Sequence, residues 1–123
     1  MLNKRNTGLL VIDIQGKLAT IVDNSDALIS STIALVKGAK ILNLPILCLE
    51  QLPEKLGSTT PEIASALVPI KAIRKHTFSG VGCSEFVDAI NHSNVDTWLV
   101  CGVEAHICVY QTVADLLAMG QNV

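Results

Sequence analysis

Gly8-Leu9-Leu10-Val11-Ile12-Asp13-Ile14 is an almost unbroken apolar run of strand length with one carboxylate near its end. Such runs belong to strands buried on both faces, as in parallel sheets covered by helices on either side. Pro45-Ile46-Leu47-Cys48-Leu49-Glu50 repeats the pattern, with proline at the first position, where no ladder bond is lost, and again a terminal carboxylate. Thr97-Trp98-Leu99-Val100-Cys101-Gly102-Val103 is a third long run, and Pro69 to Ile73 is a weaker one that leads into Arg74-Lys75-His76. Gln121-Asn122-Val123 reads as a fifth strand just beginning.

The segments between these runs change period from two to 3.6. Leu28, Leu35, Val36, Ala39 and Leu42 mark a helix from Ser25 to Asn43, with Asp23, Asn24 or Ser25 available as its N-cap. Gln51 to Thr60 has loop chemistry in Pro53, Gly57 and Ser58-Thr59-Thr60, and Pro61-Glu62 suits the first turn of a short helix through Leu67. Phe86, Val87 and Ile90 predict a helix from about Ser84 to His92, and Val109, Tyr110, Val113, Leu116 and Leu117 another from His106 to Met119. Trp98 and Tyr110 read as core. Strand and helix thus alternate, so right-handed crossovers build a three-layer α/β/α domain over residues 1–123 with a mostly parallel, doubly wound, Rossmann-like sheet. A last strand barely begun implies either that a partner covers that edge or that the C-terminal part of the domain lies outside these residues.

Composition narrows the functional classes. The 123 residues are 50% hydrophobic and 16% charged, with a mean hydropathy of +0.47, and nine basic against eleven acidic residues give a formal charge of −2. Charged residues never run longer than two, which is no footprint for nucleic acid or an anionic membrane surface. Apolar stretches stay well short of the roughly 18 to 20 residues that cross a bilayer. Met1 to Thr7 lacks the h-region and cleavage site of a signal peptide. Cys48, Cys83, Cys101 and Cys108 form no CxxC pair, so reduced thiols and a cytoplasmic location are expected. So apolar a chain is expected to self-associate as a homo-oligomer.

Open parallel sheets bind ligands beyond the carboxyl ends of their strands, where strand order reverses. Asp13 ends the first strand, Lys75 follows the third and Cys108 follows the fourth at the start of a helix; in a 3-2-1-4 sheet Asp13 and Cys108 meet at that point. A helix N-terminus and a nearby ammonium stabilise a thiolate, which predicts a Cys108 titrating below the ordinary value of about 8.5. Asp13 is suited to general base and acid work, Lys75 to holding charge in the site, and backbone N–H groups between Gly102 and Cys108 to receiving an oxyanion. Each also has a plainer reading, as packing thiol, helix cap and solvated lysine. Cys48 and Cys101 read as packing, and Cys83 is the rival thiol. Gly80-Val81-Gly82 lacks the third glycine of a dinucleotide fingerprint, and His76, His92 and His106 are too scattered for a metal motif, so neither cofactor nor metal is expected.

These elements, taken in order, resemble a known family. Leu10-Val11-Ile12-Asp13-Ile14-Gln15, Glu50-Gln51-Leu52-Pro53 with Leu56-Gly57, Lys75-His76-Thr77-Phe78-Ser79, and Cys101-Gly102-Val103-Glu104-Ala105-His106-Ile107-Cys108-Val109 with Gln111-Thr112 and Asp115-Leu116-Leu117 are similar to the isochorismatase-like cysteine hydrolases, most of all to their small oligomeric members without an agreed substrate. The resemblance runs from about Thr7 to the last residue. It implies a triad of Asp13, Lys75 and Cys108, an oxyanion hole from the N–H groups of Glu104 and Cys108, and a cis peptide between Val103 and Glu104, a bond that costs about 3 kcal/mol without proline. It also places Gln15, Gln51, Phe78 and His106 around the substrate pocket. Where metal-binding nicotinamidases carry an Asp-x-His ligand set, this chain reads Glu50-Gln51-Leu52-Pro53-Glu54-Lys55, which implies no catalytic metal. The isochorismatases that cleave a vinyl ether lack the thiol, so Cys108 points away from that reaction. The expected activity is cleavage of a C–N bond in a small amide-like substrate through a thioester. The alternatives are a redox-sensing thiol with Cys83 as its resolving partner, and a non-catalytic oligomeric binding or assembly module.

Overall fold

The computed structural model describes residues 2–123. Its elements are β1 (Thr7–Ile12), α1 (Leu18–Ile21), α2 (Ser25–Ile41), β2 (Ile46–Gln51), α3 (Pro53–Leu56), α4 (Pro61–Leu67), β3 (Ile73–Lys75), a 3₁₀ turn (Gly80–Gly82), α5 (Ser84–His92), β4 (Thr97–Gly102) and α6 (Cys108–Ala118). The four strands form one sheet in the order β3-β2-β1-β4, and every pairing is parallel. β1 lies in the middle, with Val11 opposite Cys48 on one side and Cys101 on the other. All six of its residues are buried, as its near-continuous apolarity requires.

The alternation along β1 divides the core between the two faces of the sheet. Leu9 and Val11 pack with Val36 and Ala39 of α2 and Ile63 and Leu67 of α4. Leu10 and Ile12 pack with Phe86 and Ile90 of α5, Leu116 of α6 and Trp98. The domain is therefore the expected three-layer α/β/α fold with a doubly wound parallel sheet. Trp98 lies under Gly8, where a Cβ would stand 2.6 Å from the indole, and its Nε1–H donates to Gln121 Oε1 at 3.0 Å. Tyr110 is not core: it points outward from α6 and is 66% exposed, because Cys108, Thr112 and Leu116 form the buried stripe of that helix.

Several boundaries move for local reasons. The third strand begins at Ile73 rather than Pro69, since Pro69 and Ile70 close the end of α4, with the Ile70 N–H donating to Leu67 O at 2.8 Å. Asn24 caps α2 with backbone in the left-handed region and makes no side-chain cap bond. The loop 56–60 returns over the end of β1, pairing Thr59 with Gln15, and at Gly16 it approaches so closely that a Cβ would stand 1.9 Å from Leu56 O. Asn122 makes an isolated parallel bridge to Thr97 beside β4, where a fifth strand was expected. Beside α2, Leu9, Leu35, Leu42, Leu44 and Leu99 line an open apolar groove of about 580 Å³. Among the described residues no helix is long and apolar enough to cross a membrane.

Candidate active site

The parallel register brings the carboxyl ends of β1, β3 and β4 to the same edge of the sheet. Asp13 directly follows β1, Lys75 closes β3, and Cys108 opens α6 five residues beyond the loop start at Val103. Asp13 has φ +54°, a left-handed conformation that Asp tolerates better than most residues, and its N–H donates to Leu49 O at 3.1 Å. That turn aims the carboxylate inward instead of along the strand. At Gly102 a Cβ would stand 2.7 Å from both Ile12 O and Val109 Cγ2, so only glycine lets the first turn of α6 settle against the end of β1.

Lys75 and Asp13 form a buried ion pair, with Nζ 2.8 Å from Oδ2 and side chains 0% and 2% exposed. The ammonium also donates to Gln51 Oε1 at 2.7 Å, Phe78 O at 2.9 Å and Thr77 O at 3.0 Å. Four acceptors for three protons satisfy a charge that could not otherwise be buried. The other carboxylate oxygen, Asp13 Oδ1, is buried and has no hydrogen-bond partner among the described residues. The buried Cys108 thiol lies within the influence of this carboxylate.

The electrostatics of Cys108 correct the expectation of a stabilised thiolate. Its pKa is pushed up to about 11, first by burial and then by the neighbouring Asp13 carboxylate, while the Lys75 charge offsets this only in part. Burial likewise pushes Cys48 up to about 12 and Cys101 to about 11. These raised values have a consequence for stability. The folded state holds these protons more tightly than the unfolded chain, whose thiols titrate near 9.0. Stability is therefore expected to be independent of these groups below pH 9 and to fall as the pH rises toward 11 and 12. Denaturant midpoints measured from pH 7 to 11 check this, and Cys48→Ala should flatten the alkaline fall.

The remaining expected residues divide. Gln51 is buried and contributes its side chain to Lys75 rather than presenting it to the surface. Gln15, expected on the pocket wall, is 0% exposed and wholly engaged: its Nε2 donates to Gln51 O at 2.8 Å and Gly57 O at 2.7 Å, and its Oε1 accepts from the Gln51 N–H at 2.8 Å. With every polar atom bonded to backbone, it anchors the end of β2 and leaves nothing for a ligand. Phe78 is 54% exposed, and its side chain joins His76, Thr77, Ser79, Gly82, Gln111 and Asp115 around an open cavity of about 420 Å³. His106 is exposed in the β4–α6 loop and does not line that cavity.

The Val103–Glu104 peptide is not cis, contrary to expectation; among the described residues the cis bond is Val68–Pro69. Trans is the default for a non-proline bond by about 3 kcal/mol, and here the Val103 and Glu104 carbonyls accept turn bonds from Ala105, Ile107 and Val109. The Glu104 and Cys108 N–H groups donate to no acceptor among the described residues. No group of three or more His, Cys, Asp or Glu among the described residues is placed to hold a metal ion. From the sequence, Thr112 enters only as part of the Gln111-Thr112 pair and without a role, although its spacing of four from Cys108 puts it on the same helix face.

Comparison with known proteins adds to this geometry. A model of the isochorismatase domain matches residues 7–123. Isochorismatase domain-containing protein 2A of Mus musculus is 32% identical over 115 residues, covering 94% of this chain and 54% of that protein. The structure of the MAR1 ribonuclease of Caenorhabditis elegans is 34% identical, with a TM-score of 0.89 over 99% of this chain and 62% of the other. The YcaC gene product of Escherichia coli, described as an octameric hydrolase of unknown specificity, shares the fold at a TM-score of 0.90 and 22% identity over 98% of this chain and 61% of that one. The chain spans little more than half the length of these relatives. A family match over residues 7–123, on a parallel sheet in the order β3-β2-β1-β4, establishes that this chain belongs to the isochorismatase family.

Proposed function

We propose that this chain carries the working site of a cysteine hydrolase that cleaves the C–N bond of a small amide-like substrate. The observation that carries the proposal is the buried Lys75–Asp13 pair, whose carboxylate has one unpartnered oxygen and acts on the neighbouring buried Cys108 thiol. A thiol with a raised pKa rests protonated and needs a base at the moment of attack. Cys108 Sγ bonds to the substrate carbonyl carbon as its proton passes to Asp13. The oxyanion is received by the Glu104 and Cys108 N–H groups. The C–N bond then breaks, the leaving amine takes the proton from Asp13, and a thioester remains. Water gives a proton to Asp13 and its oxygen attacks the thioester carbon; the C–S bond breaks, the acid leaves and the thiol regains its proton. Lys75 holds Asp13 in place between these transfers.

Among the names found by comparison, a hydrolase of unknown specificity fits this chemistry directly. The ribonuclease name belongs to a protein 34% identical, and a formal charge of −2 without a basic run gives this chain little attraction for a polyanion. All four cysteines are free, which suits a reducing cytoplasm, and the raised thiol pKa argues against a peroxide-sensing role. Exposed Tyr110 and Leu117 on α6 support a homo-oligomer.

The test is covalent. Incubation with a panel of small primary amides, followed by acid quench and peptide mass spectrometry, should place an acyl group on Cys108 and release ammonia in step. Ammonia release with no acyl group on Cys108 in any quench would overturn the thioester route, and acylation of Cys83 instead would move the site.

A further inference from the structure

We infer that the Thr112 hydroxyl is a positioning group that locks the nucleophile's helix to the loop holding Lys75, an inference that rests on the hydrolase reading above. Thr112 is 0% exposed in the second turn of α6. Its Oγ1–H donates to Cys108 O at 2.6 Å, and the same oxygen accepts from the Gly80 N–H at 3.0 Å. One hydroxyl proton and one lone pair are thus both used, in the only directions that donor and acceptor capacity allow. Gly80 opens the 3₁₀ turn that follows Thr77 and Phe78, and those two residues supply half of the four acceptors of Lys75. The loop is itself pinned. Thr77 Oγ1 donates to Ser79 O at 2.6 Å, the Val81 N–H donates to Ser79 Oγ at 3.2 Å, and a Cβ on Gly80 would stand 2.8 Å from Leu49 and 2.9 Å from Phe86.

Thr112 is therefore a single buried atom that joins the backbone of the nucleophile to the segment that orients the Lys75–Asp13 pair. Among the described residues no other hydrogen bond joins α6 to that segment, and packing contact tolerates sliding that a hydrogen bond does not. A base and a nucleophile that slide by a fraction of an ångström lose rate steeply.

The experiment measures iodoacetamide labelling of Cys108 at pH 7 in the 123-residue chain, resolved by peptide, with Cys83 as the internal reference. The sulfur–carbon bond forms, iodide leaves and the thiol proton goes to Asp13, so the rate reports their alignment. Thr112→Val and Thr112→Ala are each expected to slow Cys108 by about tenfold relative to Cys83, and Thr112→Ser to stay within about twofold. In an Asp13→Asn background, removing the hydroxyl should change the rate by less than about twofold, because there is no base left to align. Unchanged rates in Thr112→Val and Thr112→Ala, or equal slowing in both backgrounds, would overturn the inference. So would loss of folding in both with Thr112→Ser intact, which would make the hydroxyl structural only. If Asp13→Asn alone leaves Cys108 labelling unchanged, the hydrolase reading fails instead, a result visible without any substitution at Thr112.

Discussion

Lys75→Met is expected to destabilise the chain by about 3–5 kcal/mol, the usual cost of removing one partner of a buried ion pair. The side chain is fully buried, and methionine matches its length without its charge. The substitution leaves the Asp13 carboxylate without its counter-ion and Gln51 Oε1, Thr77 O and Phe78 O without their donor. Denaturant midpoints with the slope held constant measure the loss. If the loss comes from the stranded carboxylate, adding Asp13→Asn should restore part of it, so that the double variant is more stable than the sum of the two single losses. A loss below about 1 kcal/mol would mean that water reaches the pair, as it does for surface ion pairs. The same substitution should raise the Cys108 pKa further, since the Lys75 charge is the one influence that lowers it.

Cys108→Ala should abolish turnover while leaving the fold in place. Loss of a nucleophile from a triad costs at least about 10³-fold in rate, because the other members have nothing to activate. The structural cost should be about 1 kcal/mol, since only one sulfur atom leaves a core cluster that Ile12, Phe86 and Leu116 still fill. Initial rates on whichever amide the unmodified chain hydrolyses, beside thermal midpoints, separate the two effects. Full activity in a folded, purified variant would remove Cys108 from the mechanism.

Much of the fold was legible because burial leaves a strong trace in sequence. β1 and β2 are buried along almost their whole length, so their apolar runs read as strands; β4, at the sheet edge, carries an equally apolar run although only Trp98 of it is buried, and the helices Pro61–Leu67 and Ser84–His92 have the expected bounds. The short helices Leu18–Ile21 and Pro53–Leu56 left too few residues for any period to show. The placement of Asp13, Lys75 and Cys108 at one sheet edge was also legible, because strand order and the carboxyl-end rule together bring them to one place.

What the neighbours do to those residues was not legible. The sequence suggested a thiolate at Cys108, since a helix N-terminus and a lysine are visible in it, but burial and the prior claim of Asp13 on that lysine are not. Gln15 looked like a pocket residue, yet three backbone groups of another segment consume its amide. Tyr110 fell on an apolar pattern that the true helix phase turns outward. The sequence by itself determined the three long strands and their alternation with helices, which implies a parallel sheet with Asp13, Lys75 and Cys108 toward its carboxyl edge, because hydrophobic burial depends on local pattern. Only the tertiary structure decided protonation and partnership, because these depend on distances and dielectric between residues as much as 62 positions apart, as Asp13 and Lys75 are.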